Sequence, residues 1–522
     1  MKLKYYVLGL VSACAFTSCN DSFLDRAPKD KLSDTSYWQS KDDAEKFANG
    51  IYRYLVQPEN HTIMTDCYTA NAIPVHVTAE QGQLSAGSAV STNPHFSQLW
   101  QEAYYGIRRC LIFQERIGDV PMDETAKATI KAEVQYLEAF FYATLLKYMG
   151  GVPILDHAMA LSEEMPGRNT EEEVYAHIVS LLDAAAPKLP SIRTASDNGK
   201  PSAGACYALK ARVAYYAHKY DVAEAAAKAV MDMNAYDLAT DYETLFHPVS
   251  ELDNEIIFAK QFNPDPANSV EGNRIIQFFA PVDFGGWEAV SPTQDMVDAY
   301  QCIDGKSIND SPLYDAANPF ANRDPRLACS ILWPGAQYLG IYNGTEYTLT
   351  FDNQRMGDGS HTRTGYTMRK YIDPGDYPLW RWGQTNFIYL RYAEVLLTYA
   401  EARNENVGPD EKVYAAINEV RQRPSVDMPA LEAGLTKEQM REAIRLERRI
   451  EFAFEGIHLF DTRSWKTTEE EVKRPVWGIN KEGDPIEIEK RNFNPNRDYL
   501  WAIPFNEVDL SKGVLKQNPG WE

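Results

Sequence analysis

The feature that most limits the folds open to this chain is an alanine-rich pair of helical segments near its middle. Over 203–217, Tyr207, Ala208, Ala211 and Tyr215 recur at three- and four-residue spacing, and over 222–233 Ala223, Ala226, Ala227 and Val230 do the same. Lys219-Tyr220-Asp221 joins them, so the segments fold back on one another, and their small side chains let the backbones approach closely. This is the pattern of a tetratricopeptide helix pair, which cannot bury its apolar face alone and must stack on further pairs.

Such partners are present on both sides. Over 129–149, Ile130, Val134, Leu137, Phe141 and Leu145 mark one helix face, which Gly150-Gly151 and Pro153 terminate. The segment 170–182 opens with Thr170 before Glu171 to Glu173, an N-cap with an acidic first turn. Far downstream, 389–404 (Ala393, Leu396, Leu397, Ala400) pairs with 413–421, so the repeat layer resumes after a long interruption. The interrupting residues, 254–384, are rich in Gly, Pro, Asn, Asp and aromatics and hold no sustained helical period, which predicts loops and short strands. Within them Asn343-Gly344 sits between tyrosine-rich runs as a two-residue hairpin turn. Pairing Tyr342 with Thr345 sets Gly340 against Tyr347 and Tyr338 against Leu349, which puts Tyr338, Tyr342 and Tyr347 on one sheet face around a gap at Gly340. That face is either a ligand platform or a surface packed on the helices. The predicted fold is mainly α: tetratricopeptide-like helix pairs over 19–253 and 385–522 around a loop-rich, partly β insert.

At the N-terminus, Lys2 and Lys4 precede an apolar stretch too short to span a bilayer, followed by Thr17, Ser18 and Cys19. Residues 1–18 read as a secretory signal, and Cys19 as the first mature residue and the site of lipidation, since several acyl chains together hold a soluble domain on a membrane. The 522-residue chain carries a formal charge of −22, which repels phosphate backbones and excludes nucleic acid as a partner class. Beyond Cys14 and Cys19 the cysteines are Cys67, Cys110, Cys206, Cys302 and Cys329; five, widely spaced, they define no disulfide framework and leave at least one thiol free.

Searches by spacing find no His-Glu-x-x-His, Gly-x-Ser-x-Gly or phosphate-cradling glycine loop, so neither a catalytic residue nor a cofactor is implied. A pair of glycosidase carboxylates is the one catalytic device that spacing leaves open. Arg445, Glu447, Arg448, Arg449, Glu451 and Glu455, read as one helix, predict an ion-pair network that clamps neighbouring helices. Glu455 and His458 have helical metal-ligand spacing but lack a second such pair. Asn492, Asn494, Asn496 and Asp498 alternate as in a calcium loop, yet Ile503 stands where a bidentate glutamate is required. No metal site is assigned.

Five stretches in order, Cys19 to Trp38 (CNDSFLDRAPKDKLSDTSYW), LLKYMGGVPI, FIYLRYAEVLLTYAEARNE, RLERRIEFAFEGIHLFDTRSW and YLWAIPFNEV with LKQNPGW, resemble the SusD/RagB family over nearly the whole chain. Glu138 departs from that pattern, where an arginine is common, and puts one local ion pair in question. The resemblance implies a lipoprotein of the outer membrane, facing the cell surface, that binds a glycan and seats as a lid on a SusC-like TonB-dependent transporter. A peptide-capturing protein of the same architecture and a protein-binding repeat scaffold remain the alternatives.

Sugar rings present apolar C–H faces that stack on Trp and Tyr, while their hydroxyls need carboxylate, amide or guanidinium partners. In the insert, Trp287, Trp333, Tyr338, Tyr342, Tyr347, Trp380 and Trp382 lie near turn residues, with Arg369 as a polar neighbour. Asp66, in a loop region that the resemblance associates with ligand contacts, is a further candidate; Trp100 belongs by its spacing to a helical core.

Overall fold

The computed structural model describes residues 37–76, 80–160, 162–164, 166–264, 272–342 and 345–521. Its longer helices are α1 (Lys41–Asn49), α2 (Pro94–Arg116), α3 (Glu124–Met149), α4 (Glu171–Ala185), α5 (Ala203–Tyr216), α6 (Tyr220–Met231), α7 (Tyr392–Val407), α8 (Glu411–Arg421), α9 (Lys437–Glu451) and α10 (His458–Trp465). Each of α2 to α6 packs on its sequence neighbour where a turn permits, and α7 packs on α6 and then on α8 and α9, so the helical array closes across the insert. Local chemistry fixes the ends. Thr170 and Glu173 form a reciprocal capping box at the start of α4. Gly150, at φ 73°, ends α3 in a conformation that a side chain would resist. Close approach is equally specified: a Cβ on Gly106 of α2 would lie 2.4 Å from the Phe141 ring of α3.

Strands are few among the described residues: β1 (Ala72–Pro74), β2 (Ile256–Lys260), β3 (Val290–Pro292), β4 (Gln337–Tyr342), β5 (Thr345–Thr350) and β6 (Phe387–Arg391), with two short pieces elsewhere and one further short hairpin near the C-terminus. All the named strands form antiparallel pairs, β1 with β3, β2 with β6 and β4 with β5. The β4–β5 register is the one predicted, with Tyr342 facing Thr345, Gly340 facing Tyr347 and Tyr338 facing Leu349. The turn at Asn343-Gly344 lies outside the described residues, as does Cys19. Among the described residues no helix is long and apolar enough to cross a membrane.

Two sequence expectations need correction. The segment 389–404 is not helical throughout: Tyr389 and its neighbours continue β6, and α7 begins only at Tyr392, because the run FIYLR is buried on every residue and pairs with β2. Likewise Glu455 and His458 do not share a helix with Arg445, since α9 stops at Glu451 and Phe454 and Gly456 adopt φ of 62° and 73°.

The predicted ion-pair clamp exists and reaches further than one helix. Glu451, wholly buried, accepts from Arg391 (2.7 Å), Arg423 (2.8 Å) and Arg326 (2.8 Å). Glu455 takes Arg391 (2.7 Å) and Lys370 (2.5 Å), Glu255 takes Arg391 and Arg423, and Glu447 takes Arg326 (2.5 Å) and Arg421 (2.7 Å). Arg326 and Lys370 come from the insert, so this desolvated network fastens it to α8, α9 and β6. Arg445 meets Glu401, Arg448 meets Asp461, and Arg449 meets Asp295. Glu138, the departure from the family pattern, is accommodated by Gln114, which donates to it at 2.6 Å, with His177 at 3.4 Å. Cys67, Cys110, Cys206, Cys302 and Cys329 are all free thiols.

Candidate functional site

The insert gathers its aromatics where two of its loops meet the β4–β5 hairpin. Phe284 lies flat on Tyr377, with centroids 4.1 Å apart and planes 9° apart, and meets Tyr338 edge-on at 5.1 Å. The gap foreseen at Gly340 is thereby filled: a Cβ there would fall 2.0 Å from the Phe284 ring. Tyr338, only 4% exposed, belongs with Leu332, Ala336 and Phe351 to a small buried cluster, so its ring supports the surface from beneath. Strands β4 and β5 place Tyr342 and Tyr347 in the predicted register.

Trp287 faces solvent, with 38% of its surface exposed. The backbone presents it deliberately. Its N–H donates to Gln277 O (2.8 Å), and Ala289 N–H donates to Phe278 O (2.8 Å), which sets the indole 5.0 Å from the Phe278 ring. Gly286 is needed in this turn because a Cβ would sit 2.0 Å from Ala280 O, and Gly285 is left-handed at φ 80°. The guanidinium of Arg274 lies 5.0 Å over Phe278 and 5.7 Å from the Trp287 ring. Arg274 in turn is held by Gln277 (2.6 Å) and by the buried Glu59, which accepts its backbone N–H at 2.7 Å.

The second loop approaches from the other side. Trp380 Nε1–H donates to Gly285 O at 2.9 Å, tying it to the turn that carries Trp287, and Arg381 stacks 4.6 Å over its ring. Trp382 is half-buried, its backbone so near Gly272 that a Cβ there would meet it at 2.5 Å. Buried Asp376 organises this loop by accepting from Gln384 N–H (3.1 Å), Thr385 N–H (3.0 Å) and Thr385 Oγ1 (2.7 Å). Trp380 and Glu288, at φ 32° and 49°, both hold left-handed backbone without being glycine. Strain of this kind, about 1–3 kcal/mol per residue, persists only where surrounding contacts over-determine it, and it clusters at ligand sites.

Arg369 lines an adjoining cavity of about 390 Å³ together with Tyr338, Leu339, Tyr377, His247 and Asp373. It is ion-paired with Glu243 and donates to Ala328 O at 2.8 Å. Trp333 is half-buried and stacked on Phe320 at 4.5 Å and 13°, and it packs on the cluster around Tyr338. Asp66 is a different case: it is wholly buried and accepts from Asn71 Nδ2 at 2.8 Å, and burial raises its carboxyl above the ordinary range. Being wholly buried, it presents no group to solvent. Trp100, 2% exposed and 4.6 Å from Tyr104, is core as predicted.

The structure therefore ties Trp380 to the turn that carries Trp287, joins Tyr338 to that turn through Phe284, sets Arg369 and Tyr338 in one cavity, and adds contacts from Arg274, Phe278, Tyr377 and Arg381. Arg381 could have been found from its place between two tryptophans. Arg274 and Phe284 could not, because their roles depend on contacts far away in sequence. Asp498, the last member of the calcium-like alternation, accepts from Asn494 N–H (2.7 Å) and Arg497 (2.6 Å). Among the described residues no group of three or more His, Cys, Asp or Glu could hold a metal ion.

Comparison with known proteins agrees with this architecture from end to end. A SusD-like protein from Bacteroides fragilis superimposes with a TM-score of 0.83 at 29% identity, covering 95% of this chain and all of that one. A second B. fragilis structure, described as a SusD-like carbohydrate-binding protein, gives a TM-score of 0.81 at 26% identity over 92% of this chain and 99% of that one. A SusD-like protein of Formosa agariphila is 25% identical over 99% of this chain and its own full length. Residues 22–215 match a family described as starch-binding and associating with the outer membrane. Residues 254–521, more than half of the chain and the part that carries both the insert and the closing helices, match the SusD family, and the chain belongs to that family.

Proposed function

We propose that the protein is a cell-surface lipoprotein that binds an oligo- or polysaccharide through the loops of its insert and delivers it to a SusC-like TonB-dependent outer-membrane transporter. The observation that carries this reading is Trp287: a half-exposed indole, backed by Phe278 and flanked by Arg274, on a turn locked to Trp380. An indole so placed offers a sugar ring an apolar face, and the guanidinium beside it offers its hydroxyls a donor. The description of a B. fragilis neighbour as carbohydrate-binding supports the ligand class, and the outer-membrane association in the description matched by residues 22–215 supports the location. The reading is of capture without reaction, and in it Asp376 shapes the loop, its Oδ2 accepting from Gln384 N–H, Thr385 N–H and Thr385 Oγ1. Anchoring through Cys19 places the site at the membrane surface.

The test is a glycan-array screen of the mature protein lacking its acyl chains, followed by titration of the best ligand against the Trp287→Ala variant. Binding confined to the unaltered protein supports the proposal, and equal binding by both removes Trp287 from the site. Cys19→Ala should release the folded protein from the membrane fraction, and gentle detergent extraction of the native protein should recover a barrel partner.

A further inference from the structure

On the helical body, away from the insert, α3, α4, α5 and α10 enclose a cleft of about 440 Å³. One part of its wall is apolar, with Leu209 and Val213 from α5, Phe460 from α10 and Leu500, and the rest is polar or charged. Its charges are unbalanced. Arg212 is satisfied by Glu394, to which it donates from Nε at 2.6 Å. Lys147 is not: among the described residues its ammonium makes no hydrogen bond or ion pair, and it rests 4.4 Å from the centroid of Phe460 and 5.3 Å from that of Tyr148. Arg463, also lining the cleft, donates from Nη2 to Asp498 O (3.0 Å), while its Nε and Nη1 are enclosed without a partner. Lys466 at the mouth lies over Tyr499 at 4.1 Å. The acidic residues of the lining are Glu171 and Glu172, and Glu172 already faces Lys219 at 3.2 Å.

A half-buried cation that rests on aromatic rings without a counter-ion is only partly compensated, and a ligand anion entering the cleft would complete the pair. Desolvation acts on both here, lowering Lys147 to about 7 and Arg463 to about 10. We propose that this cleft is a second ligand site, for a small organic carboxylate whose anionic end pairs with Lys147 in the positive field of Arg463 and whose apolar body lies along Leu209, Val213 and Leu500. The inference stands apart from glycan capture, because none of these residues belongs to the insert.

The mature protein is titrated by calorimetry with sodium hexanoate, and in parallel with hexanamide, the neutral isostere, and with inorganic phosphate. Saturable hexanoate binding with at least tenfold weaker hexanamide and phosphate binding is the expected result. Lys147→Met should abolish hexanoate binding while holding or raising the melting temperature, since an unpaired, half-buried charge is removed. Ala217→Trp, which obstructs the cleft without touching a charge, should block binding as well, and it serves if Lys147→Met does not fold. Trp287→Ala should leave hexanoate binding unchanged. Equal affinity for hexanoate and hexanamide, binding of phosphate as tight as hexanoate, or hexanoate binding that survives both cleft variants would each overturn the proposal.

Discussion

Glu451 at the end of α9 and Glu288 beside Trp287 are almost equally removed from water, at 0% and 2% exposure, and they are held in opposite ways. Three guanidiniums face Glu451 and keep its carboxyl well below the ordinary range despite burial. No guanidinium or ammonium pairs with Glu288 among the described residues, its Oε1 has no hydrogen-bond partner there, and burial pushes it up to about 8. The scaffold thus buries charge and neutralises it, whereas the binding insert tolerates an unsatisfied group next to its exposed tryptophan. Stability is concentrated in one region and strain in the other, which is the arrangement expected when a rigid frame positions a site.

The sharpest way to break this contrast is Glu451→Ala. It would leave Arg326, Arg391 and Arg423 short of a common partner, and the expected loss is about 3–5 kcal/mol in denaturant unfolding. A loss below 1 kcal/mol would mean that the network is not the frame.

A pH profile separates the two carboxylates next. Glu451 and Glu255, depressed in the folded state, contribute stability above the unfolded value near 4.5 that is lost as pH falls below it. Glu288, raised, contributes stability that is full below about 4.5 and is lost as pH rises through about 8, at a slope of order 1.4 kcal/mol per pH unit. Glu288→Gln should flatten thermal stability between those limits and leave the acid limb intact; an unchanged slope would locate the alkaline loss elsewhere.

Trp287→Ala should weaken glycan binding by about 1–3 kcal/mol in calorimetric titration with little change in melting temperature. Trp333→Ala is the matched control: its ring is stacked on Phe320, so it should lower the melting temperature more than the affinity. The opposite pattern would exchange their roles. The smallest effect is expected from Gly340→Ala, where the added methyl must displace Phe284 from Tyr377; a loss of about 1 kcal/mol in stability is foreseen, at the low end of overpacking effects because the ring sits near the surface.

Sequence made the frame legible because helices announce themselves locally. The alanines of α6, Ala223, Ala226 and Ala227, are buried where the 3.6-residue period puts them, and the hairpin register followed from its turn alone. It failed where a residue answers to distant partners. The apolar spacing extends the helix back to Tyr389 because the strand partner of 389–391, β2, lies far upstream, and soon after the helix ends at Glu451 the left-handed backbone falls on Phe454, a residue type that gives no warning of it. The site was legible in kind and less so in membership. Trp287, Trp380 and Trp382 were marked by neighbouring glycines and by each other. Asp66, chosen for its loop, is wholly buried and bonded to Asn71, and Arg274 is held by Gln277 and by its backbone bond to the distant Glu59.

The pairing of Lys260 in β2 with Phe387 in β6 has a consequence for how such proteins diversify. The whole excursion between these residues departs from and returns to a single rung of one antiparallel ladder. Closing a loop depends only weakly on its length, and each doubling adds about 0.6 kcal/mol. A lineage could therefore lengthen, shorten or exchange the excursion while the rung and the Arg326 and Lys370 fastenings stay in place. Ligand preference would then change as a cassette does, with the helical frame inherited unaltered.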